Sequence, residues 1–476
     1  MTDSADDDTV SSRAQATRRK HVCHGEYRSP AREPFRSARR AGLTRRGFLS
    51  AGATALGLVV TGCAGPAAAP ARRLQLTLVP PTGSYPIGTV ALHLVDHSRR
   101  DPWLPVARPR ELMISVWYPA QHVGRYLWAP WMPPAAGKLF LTQLIPAPPV
   151  VRPGGRPSSA PSGPPGGVRL PVTLARLGAP VDLSARRCPV VLYSPGYEDD
   201  RELGTGLVSD LASRGYIVVT IDHTYEAAEV EFPDGRVEVS RQQQNILAEI
   251  GKAATVRVAD TRFVLDELAA LNSGVNPDAE HHRLPAGLAG ALDLARTGMF
   301  GHSEGGSTAA TTMAADPRIS AGINLDGIIV PADMPPNATS SLGTIASLAG
   351  PVAKRIGDRP FMLMGNASHG LDDATWKSFW PDLSGWRLLL SLKDSQHHSY
   401  TDDEEFLSQL VTAGIIPPKV ARQVVIPTIG TIDPGRAVAA ERAYIGAFFD
   451  LHLRHRGGSL LARPSPRYPQ VQFLAR

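Results

Sequence analysis

The chain has 476 residues, 43% hydrophobic and 20% charged, which is typical of a soluble globular protein with a large core. Its formal net charge of +6 could indicate a polyanion-binding surface, but residues 1–62 hold 11 Lys and Arg against 6 acidic residues. The remaining 39 basic and 38 acidic residues nearly cancel, so the composition gives no support to nucleic-acid binding.

The first 62 residues resemble an export leader. The Arg45-Arg46 pair, followed by "GFL", precedes an uncharged stretch of about 16 residues, too short to span a bilayer as a helix. The pair resembles a twin-arginine signal, and "VTGC" resembles the lipobox where bacterial lipoproteins are cleaved and diacylated. We predict an exported protein, lipid-anchored through Cys63 to the outer face of the cytoplasmic membrane. If Cys63 is incidental, the protein is secreted after cleavage. Cleavage would leave Cys63 and Cys188, too few for a disulfide framework or a Cys-based metal site.

Strand-like and helix-like segments alternate from residue 74 onward. The predicted strands are 88–96, 111–119, 189–196, 216–223, 297–303, 319–326, 360–366 and 386–392, and the predicted helices are 201–215, 251–271, 305–315 and 438–455. Apolar strands that alternate with helices indicate a mainly parallel sheet with helices on both faces. We therefore predict one α/β domain over residues 63–476.

Residues 129–186 interrupt this pattern because they are crowded with Pro and Gly, as in "PAPPVVRPGGRPSSAPSGPPGG". Such composition disfavours regular structure. We predict a loop-rich insertion on the surface, with a disordered tip, within the same domain.

Ser303 lies in the only G-x-S-x-G segment of the chain, "GHSEG", between a predicted strand and a predicted helix. A serine hydroxyl needs a fixed geometry and a base to act as a nucleophile. Gly301 and Gly305 remove side chains that would clash in so sharp a turn, and the amino end of the helix favours developing negative charge. We predict that Ser303 is a nucleophile; the alternative is an ordinary glycine turn.

An α/β-hydrolase triad follows the chain order Ser, Asp or Glu, His. Asp326 ends the strand after the nucleophile helix, at the sheet edge where Ser303 is expected. Asp372 and Asp373 follow the next predicted strand, which carries the acid in many hydrolases of this fold. All three therefore stay candidates on position alone.

Several histidines follow predicted strands and compete for the role of the base. His397 and its neighbour His398 follow the last strand, and His223 and His369 follow earlier ones. His302, beside the nucleophile, is expected to point away from the site on a sharp turn. Position alone leaves the choice between His397 and His398 open.

An oxyanion hole needs two backbone N–H groups directed at the developing negative oxygen. We predict one from Glu304, directly after the serine, and the other from Tyr197, which follows Gly196 in the loop after "VVLYSPG". The Glu304 carboxylate itself is expected to lie in solvent.

Five segments resemble, in order, the platelet-activating factor acetylhydrolase type of α/β-hydrolase (the isoform II, plasma-like group), particularly its actinobacterial lipoprotein-like members. They are "VVLYSPGYEDD", "LASRGYIVVTIDHTYEA", "GHSEGG", "GINLDG" and "HHSYTD". In that family the acid follows the strand after the nucleophile helix, which implies Asp326. The family histidine opens an H-x-[SN]-[FY]-x-D segment, which implies His397. The His-Gly pair common at the family's oxyanion loop is Pro195-Gly196 here.

The resemblance implies a serine carboxylester hydrolase that acts on short-acyl or phospholipid-like esters through an acyl-enzyme, with Ser303, Asp326 and His397 as its triad. We expect no cofactor, no metal and no nucleic-acid partner; the expected partners are the ester substrate and the membrane that holds the lipid anchor. The alternatives are a long-chain lipase or general esterase, and a catalytically silent lipid-binding lipoprotein of the same fold.

Overall fold

The computed structural model describes residues 74–144, 167–182, 184, 187–241, 246–332, 334 and 341–476, without the side chains of residues 246–248. The predicted leader with Cys63 lies outside the described residues, as do residues 145–166, 183, 185 and 186 of the predicted insertion. Within this described part, no helix is both long enough and apolar enough to cross a membrane.

A large mixed sheet forms the centre of the described chain. In chain order the strands are β1 Leu74–Gln75, β2 Ile87–Arg100, β3 Pro109–Pro119, β4 Trp128–Pro130, β5 Val168–Arg169, β6 Val172–Leu177, β7 Cys188–Ser194, β8 Ile217–Ile221, β9 Glu229–Glu231, β10 Val237–Val239, β11 Leu292–His302, β12 Ile319–Leu325, β13 Phe361–Gly365, β14 Arg387–Leu392 and β15 Val471–Ala475. Eleven of them form one sheet in the order β15-β14-β13-β12-β11-β7-β8-β3-β2-β6-β4.

Strand direction in this sheet follows the prediction of a mainly parallel core. The strands from β14 through β12, β11 and β7 to β8 pair in parallel, as do β2 and β6. Antiparallel pairs join β15 to β14, β8 to β3, β3 to β2 and β6 to β4. The antiparallel pairs therefore surround the parallel centre, at which β11 lies.

Helices cover both faces of the sheet, as predicted. In chain order they are α1 Pro134–Leu144, α2 Thr205–Ser213, α3 Ile246–Asn272, α4 Glu304–Ala315, α5 Leu342–Ile356, α6 Ala374–Phe379, α7 Asp403–Thr412, α8 Pro418–Val420, α9 Ile426–Ile429, α10 Pro434–Arg454 and α11 Ser459–Ala462. Between α8 and α9, Ala421–Val425 form a π-helical segment.

Alternate residues of β7 enter two different hydrophobic cores, because successive side chains of a strand point to opposite faces. Val190 and Leu192 pack on the face covered by α3, α4, α5 and α6. Val191 and Tyr193 pack on the face covered by α2 and α10. The central strand is thus buried on both sides, which explains its nearly continuous apolar sequence.

The predicted loop-rich insertion contains more regular structure than expected in its described part. Strands β4 and β6 extend the main sheet, and α1 packs through Phe140 into a third hydrophobic cluster. Trp131, at the start of this segment, contacts the rings of Phe140 and Phe406, and its indole N–H donates to Asp402. Pro133 precedes α1, Pro134 is its first residue and Pro171 precedes β6, all positions where Pro is tolerated.

Candidate active site

Ser303 lies on a sharp turn between β11 and α4. Its φ of 55° and ψ of −121° lie in a region that non-glycine residues rarely adopt. An added Cβ at Gly305 would overlap the carbonyl oxygen of Ser194, and one at Gly301 would overlap the backbone of Gly305. The two glycines therefore let the turn pack directly against the end of β7.

The structure brings the three predicted triad residues together. The Nε2 atom of His397 lies 2.9 Å from Ser303 Oγ, and its Nδ1 atom lies 2.6 Å from Asp326 Oδ2. These residues lie at or just beyond the carboxyl ends of β11, β12 and β14, three strands of the parallel centre. The imidazole thus bridges the hydroxyl and the carboxylate, the arrangement that a general base between a serine and an acid requires.

Asp326 is almost fully buried and accepts four hydrogen bonds. Besides His397, its donors are the backbone N–H of Asn366 at 2.7 Å, the Asn366 side-chain amide at 2.8 Å and His369 Nδ1 at 3.0 Å. Burial alone would raise the pKa of Asp326, but the hydrogen bonds from His369 and His397 outweigh it and hold that pKa well below its ordinary value. Asp326 is therefore ionised at neutral pH.

His369 is the main contact that the sequence prediction missed. Its ring stacks on Trp376 with centroids 4.0 Å apart, and its Nε2 atom lies 3.8 Å from Asp373. Burial opposes its charged form, but the hydrogen bonds to Asp326 and Asp373 raise the pKa of His369 to about 9. The carboxylate of Asp326 thus lies between His397, which is neutral, and His369, which is protonated. The signal was present in the sequence, since "GNASHG" follows β13, the strand next to β12.

His397 has the opposite electrostatic tendency. Desolvation of its ring, reinforced by the neighbouring His302, lowers the pKa of His397 below its ordinary value against the opposing effect of Asp326. Because 37% of the side chain remains exposed, solvent moderates this shift. A neutral imidazole at neutral pH can accept the proton of a serine hydroxyl.

The competing residues occupy other positions. Asp373 accepts backbone N–H groups at the start of α6, and Asp372 is exposed. His398 Nδ1 lies 3.4 Å from Asp403, and His223 bridges Ser194 and Asp260. In the described part of the chain, the histidine that is hydrogen-bonded to Ser303 Oγ is His397.

His302 does not point away from the site, as the sequence had led us to expect. Its Nε2 atom lies 2.8 Å from the carbonyl oxygen of His397, and the two ring centroids are 4.6 Å apart. The sharp turn at Ser303 directs the preceding side chain toward the segment after β14. His302 therefore supports the backbone of the histidine that faces the serine.

The loop predicted to supply the second oxyanion donor packs against the start of α4. An added Cβ at Gly305 would lie 2.6 Å from the carbonyl oxygen of Pro195, and one at Gly196 would overlap Asp199. This contact brings the segment containing Tyr197 beside the helix that begins at Glu304. The first N–H groups of a helix have no intrahelical acceptor, so the Glu304 N–H suits this role.

Arg257, buried on α3, holds this loop from behind. All five guanidinium N–H groups of Arg257 are used, toward the carbonyl oxygens of Pro195 (2.6 Å) and Gly196 (2.8 Å), Ser194 Oγ and both Glu226 oxygens. Sequence reasoning missed this residue because a single Arg within a helical pattern carries no local signal of a buried contact.

The Glu304 side chain corrects another expectation. It is 5% exposed rather than solvated, because the first turn of α4 packs beneath the Pro195-Gly196 loop. Burial raises the pKa of the Glu304 carboxyl well above its ordinary value, against the opposing charge of Arg257. Burial therefore favours the uncharged form of Glu304 beside the nucleophile.

One cluster among the described residues has ligands spaced for a metal ion: Asp278, Glu280 and His282, in the loop between α3 and β11. Glu280 and His282 are exposed, and the cluster includes no triad residue.

Known proteins resemble this chain over most of its length. A model of the family "Platelet-activating factor acetylhydrolase, isoform II" matches residues 166–341. A probable 1-alkyl-2-acetylglycerophosphocholine esterase of Arthroderma benhamiae is 28% identical over 409 residues, 83% of this chain and 92% of that protein. A platelet-activating factor acetylhydrolase of Cavia porcellus is 27% identical over 184 residues, 35% of this chain and 40% of that protein. The solved structure of a ferulic acid esterase from Streptomyces cinnamoneus aligns with this chain with a TM-score of 0.63 and 33% sequence identity. The alignment covers 84% of this chain and 99% of the esterase chain.

Proposed function

Since the chain belongs to the platelet-activating factor acetylhydrolase type of α/β-hydrolases and is a carboxylic ester hydrolase, we propose that it cleaves short-acyl or phospholipid-like esters through Ser303, His397 and Asp326. The observation that carries this proposal is the position of His397, 2.9 Å from the serine oxygen and 2.6 Å from the carboxylate.

In the proposed mechanism, Ser303 Oγ attacks the ester carbonyl while His397 Nε2 takes its proton. The backbone N–H groups of Tyr197 and Glu304 stabilise the tetrahedral oxyanion. His397 then protonates the leaving alcohol, and Asp326 stabilises the imidazolium and fixes the tautomer that accepts the serine proton. Water, activated by the same imidazole, cleaves the acyl-enzyme. An ionised Asp326, together with the burial that favours the uncharged form of Glu304, suits this charge distribution.

The substrate class rests on relatives of the chain. One is named a probable 1-alkyl-2-acetylglycerophosphocholine esterase, and another is named a platelet-activating factor acetylhydrolase. We therefore expect kcat/KM for p-nitrophenyl acetate or butyrate to exceed that for palmitate by at least roughly tenfold, about 1.4 kcal/mol in transition-state binding. A preference for palmitate that rises when micelles form would instead indicate a long-chain lipase.

A second candidate substrate is an aromatic ester such as a ferulate. The ferulic acid esterase is 33% identical to this chain, and the alignment of the two covers almost the whole esterase chain. Tyr197, in the proposed oxyanion loop, packs against a cluster that includes Trp103 and Tyr225, which offers aromatic surface near the acyl group.

We further propose that the protein is exported and lipid-anchored at Cys63, supported by the twin-arginine-like and lipobox-like segments. Two acyl chains suffice for stable membrane attachment. Cys63→Ser should therefore move the protein to the soluble fraction or leave its signal uncut. If the wild-type protein carries no lipid and fractionates like Cys63→Ser, the proposed anchor is wrong. That result would not affect the proposed catalysis.

The catalytic proposal is tested by labelling purified protein with a fluorophosphonate and locating the adduct by mass spectrometry. We expect the label on Ser303, and we expect Ser303→Ala to keep its circular-dichroism spectrum while turnover of short-chain esters falls by about 10⁶. Ser347→Ala, an exposed serine on α5, is the matched control and should keep full activity. A Ser303→Ala protein with a tenth of wild-type activity would refute the assignment.

A further inference from the structure

An apolar surface lies at the edge of the sheet farthest from β15. Along β6, Thr173 and Ala175 point inward and are 5% and 0% exposed, while Val172 and Leu174 point outward and are 59% and 50% exposed. The β4–β6 face, as we call it, is the side of this strand pair that exposes Trp128, Val172 and Leu174, because Trp128 pairs with Arg176, two residues after Leu174. The exposed side chains of Leu127 and Leu177 lie at the end of the same strand pair and have the opposite parity. Single exposed apolar residues are ordinary, but a group on one pair of strands indicates an interaction surface.

The charged side chains on the segments that carry the β4–β6 face are positive, although Asp182 follows these segments and Glu229 and Glu231 contact α1. Residues 120–144 and 167–181 contain four basic residues, namely Arg125, Lys138, Arg169 and Arg176, and no Asp or Glu. The Arg176 guanidinium lies 3.1 Å from the ring centroid of Trp128, and the other three side chains are exposed. Apolar side chains with an aromatic among them and a border of cations are suited to the surface of an anionic bilayer.

The first described residues of the chain lie beside this face. Leu74 in β1 pairs with Val168 in β5, and its N–H donates to the carbonyl oxygen of Gly167. Val168 is four residues before Val172, which limits their separation to about 14 Å. Cys63 is 11 residues before Leu74, a reach of at most about 40 Å. The chain between Cys63 and Leu74 is therefore long enough for a lipid on Cys63 and this face to contact the same bilayer.

We propose that the β4–β6 face is a docking surface for an anionic lipid bilayer, and that its side chains insert at the headgroup level. It is separate from the proposed esterase site, because β6 lies five strand positions from β11, about 24 Å at the usual strand spacing. Docking does not require the proposed lipid on Cys63; the lipid brings the face to the membrane, and the face fixes how the protein lies on it.

The test is co-sedimentation of the full chain with vesicles of phosphatidylcholine alone or with phosphatidylglycerol added. Every protein carries Cys63→Ser, so no acyl chain contributes and the basic leader contributes equally to all. Leu174→Asp should weaken binding to the anionic vesicles by roughly tenfold or more, the loss expected for a half-exposed leucine. Leu474→Asp on β15, an edge-strand leucine 45% exposed at the opposite edge of the sheet, is the matched control and should bind like the parent.

Equal binding by Leu174→Asp and Leu474→Asp would overturn the proposal. So would a parent that binds no vesicle but forms a dimer in analytical ultracentrifugation that Leu174→Asp dissociates, because the face would then belong to a second copy of the chain. Hydrolysis of p-nitrophenyl acetate is measured on the same samples and should not differ among them. Loss of hydrolysis in the parent would contradict the proposed function without affecting the vesicle result.

Discussion

Replacement of Asp326 by Asn tests the proposed triad at its most constrained point. The carboxylate receives donors at both oxygens: the Asn366 backbone N–H and His369 at Oδ1, and the Asn366 amide and His397 at Oδ2. An asparagine must place its own NH₂ group toward one of these pairs. The Oδ1 position includes a backbone N–H, which cannot change from donor to acceptor, so the NH₂ group should take the Oδ2 position.

At that position the new NH₂ group faces His397 Nδ1, which must then become an acceptor. The proton moves to Nε2, the atom 2.9 Å from Ser303 Oγ, and the imidazole can no longer accept the serine proton. We expect kcat to fall by roughly 10⁴, the cost of the wrong tautomer in a triad. The mismatched donors should also destabilise the fold by about 1–3 kcal/mol.

The assay is steady-state hydrolysis of p-nitrophenyl acetate, with thermal unfolding followed by circular dichroism to show that the variant is folded. Asp373→Asn and Asp372→Asn are matched controls. Asn caps a helix about as well as Asp, so Asp373→Asn should keep the start of α6 intact. We expect either control to change kcat by less than about threefold, since an exposed or partly exposed charge contributes little. A larger loss in Asp373→Asn than in Asp326→Asn would move the acid to the loop after β13.

Three further predictions concern the surroundings of the triad. Because the pKa of His397 is lowered, kcat/KM should stay on a plateau down to about pH 6.5 and fall only below it; half-maximal activity at pH 7 or above would contradict this. His369→Asn removes a positive charge beside Asp326, so it should raise the pKa of His397 and move the acid limb to higher pH. A group whose pKa is raised on folding stabilises the folded state fully at pH values below its unfolded pKa, and this contribution is lost as pH rises through its folded pKa. The Tm of wild type should therefore exceed that of His369→Asn most below about pH 6.5, and the difference should disappear as pH rises through about 9. Equal Tm differences at pH 6 and pH 9.5 would refute it. Arg257→Lys has three donors and cannot replace the five hydrogen bonds that Arg257 makes, so kcat should fall by at least roughly tenfold with little change in KM. Arg318→Lys, in a surface ion pair, is the control, and unchanged kcat in both would mean that the loop does not need Arg257.

Much of the architecture was predictable because it depends on local patterns. The period-2 or continuous apolar runs predicted β7, β8, β11, β12, β13 and β14 within a few residues, since a strand buried on both faces needs apolar side chains throughout. Helices α5 and α7 were missed. Pro351 lies inside α5, and the first turn of α7 contains three buried carboxylates in place of an apolar stripe. In both helices tertiary packing outweighs the sequence signal.

The sequence indicated helix and strand least clearly in the insertion, residues 129–186. High Pro and Gly content predicts loops because both residues disfavour helix and strand interiors. Pro133 and Pro134 nevertheless stand where α1 begins, so they limit where regular structure begins without preventing it. The composition of this segment carries no information about which strand β6 pairs with. That pairing brings Ala175 of β6 beside Ile87 of β2, and it depends on the folded sheet.

By itself, the sequence determined the strand–turn–helix around Ser303 and the order of the carboxylate and histidine candidates after it, because glycine spacing and strand ends are local properties. Only the tertiary structure decided which side chains share the site. His369 reaches Asp326 across 43 positions and Arg257 reaches Pro195 across 62, and both contacts depend on which strands and helices lie side by side. The burial of Glu304 has the same cause: a carboxyl at the first position of a helix lies in solvent or in the core according to what packs over that helix, and here a loop from another strand covers it.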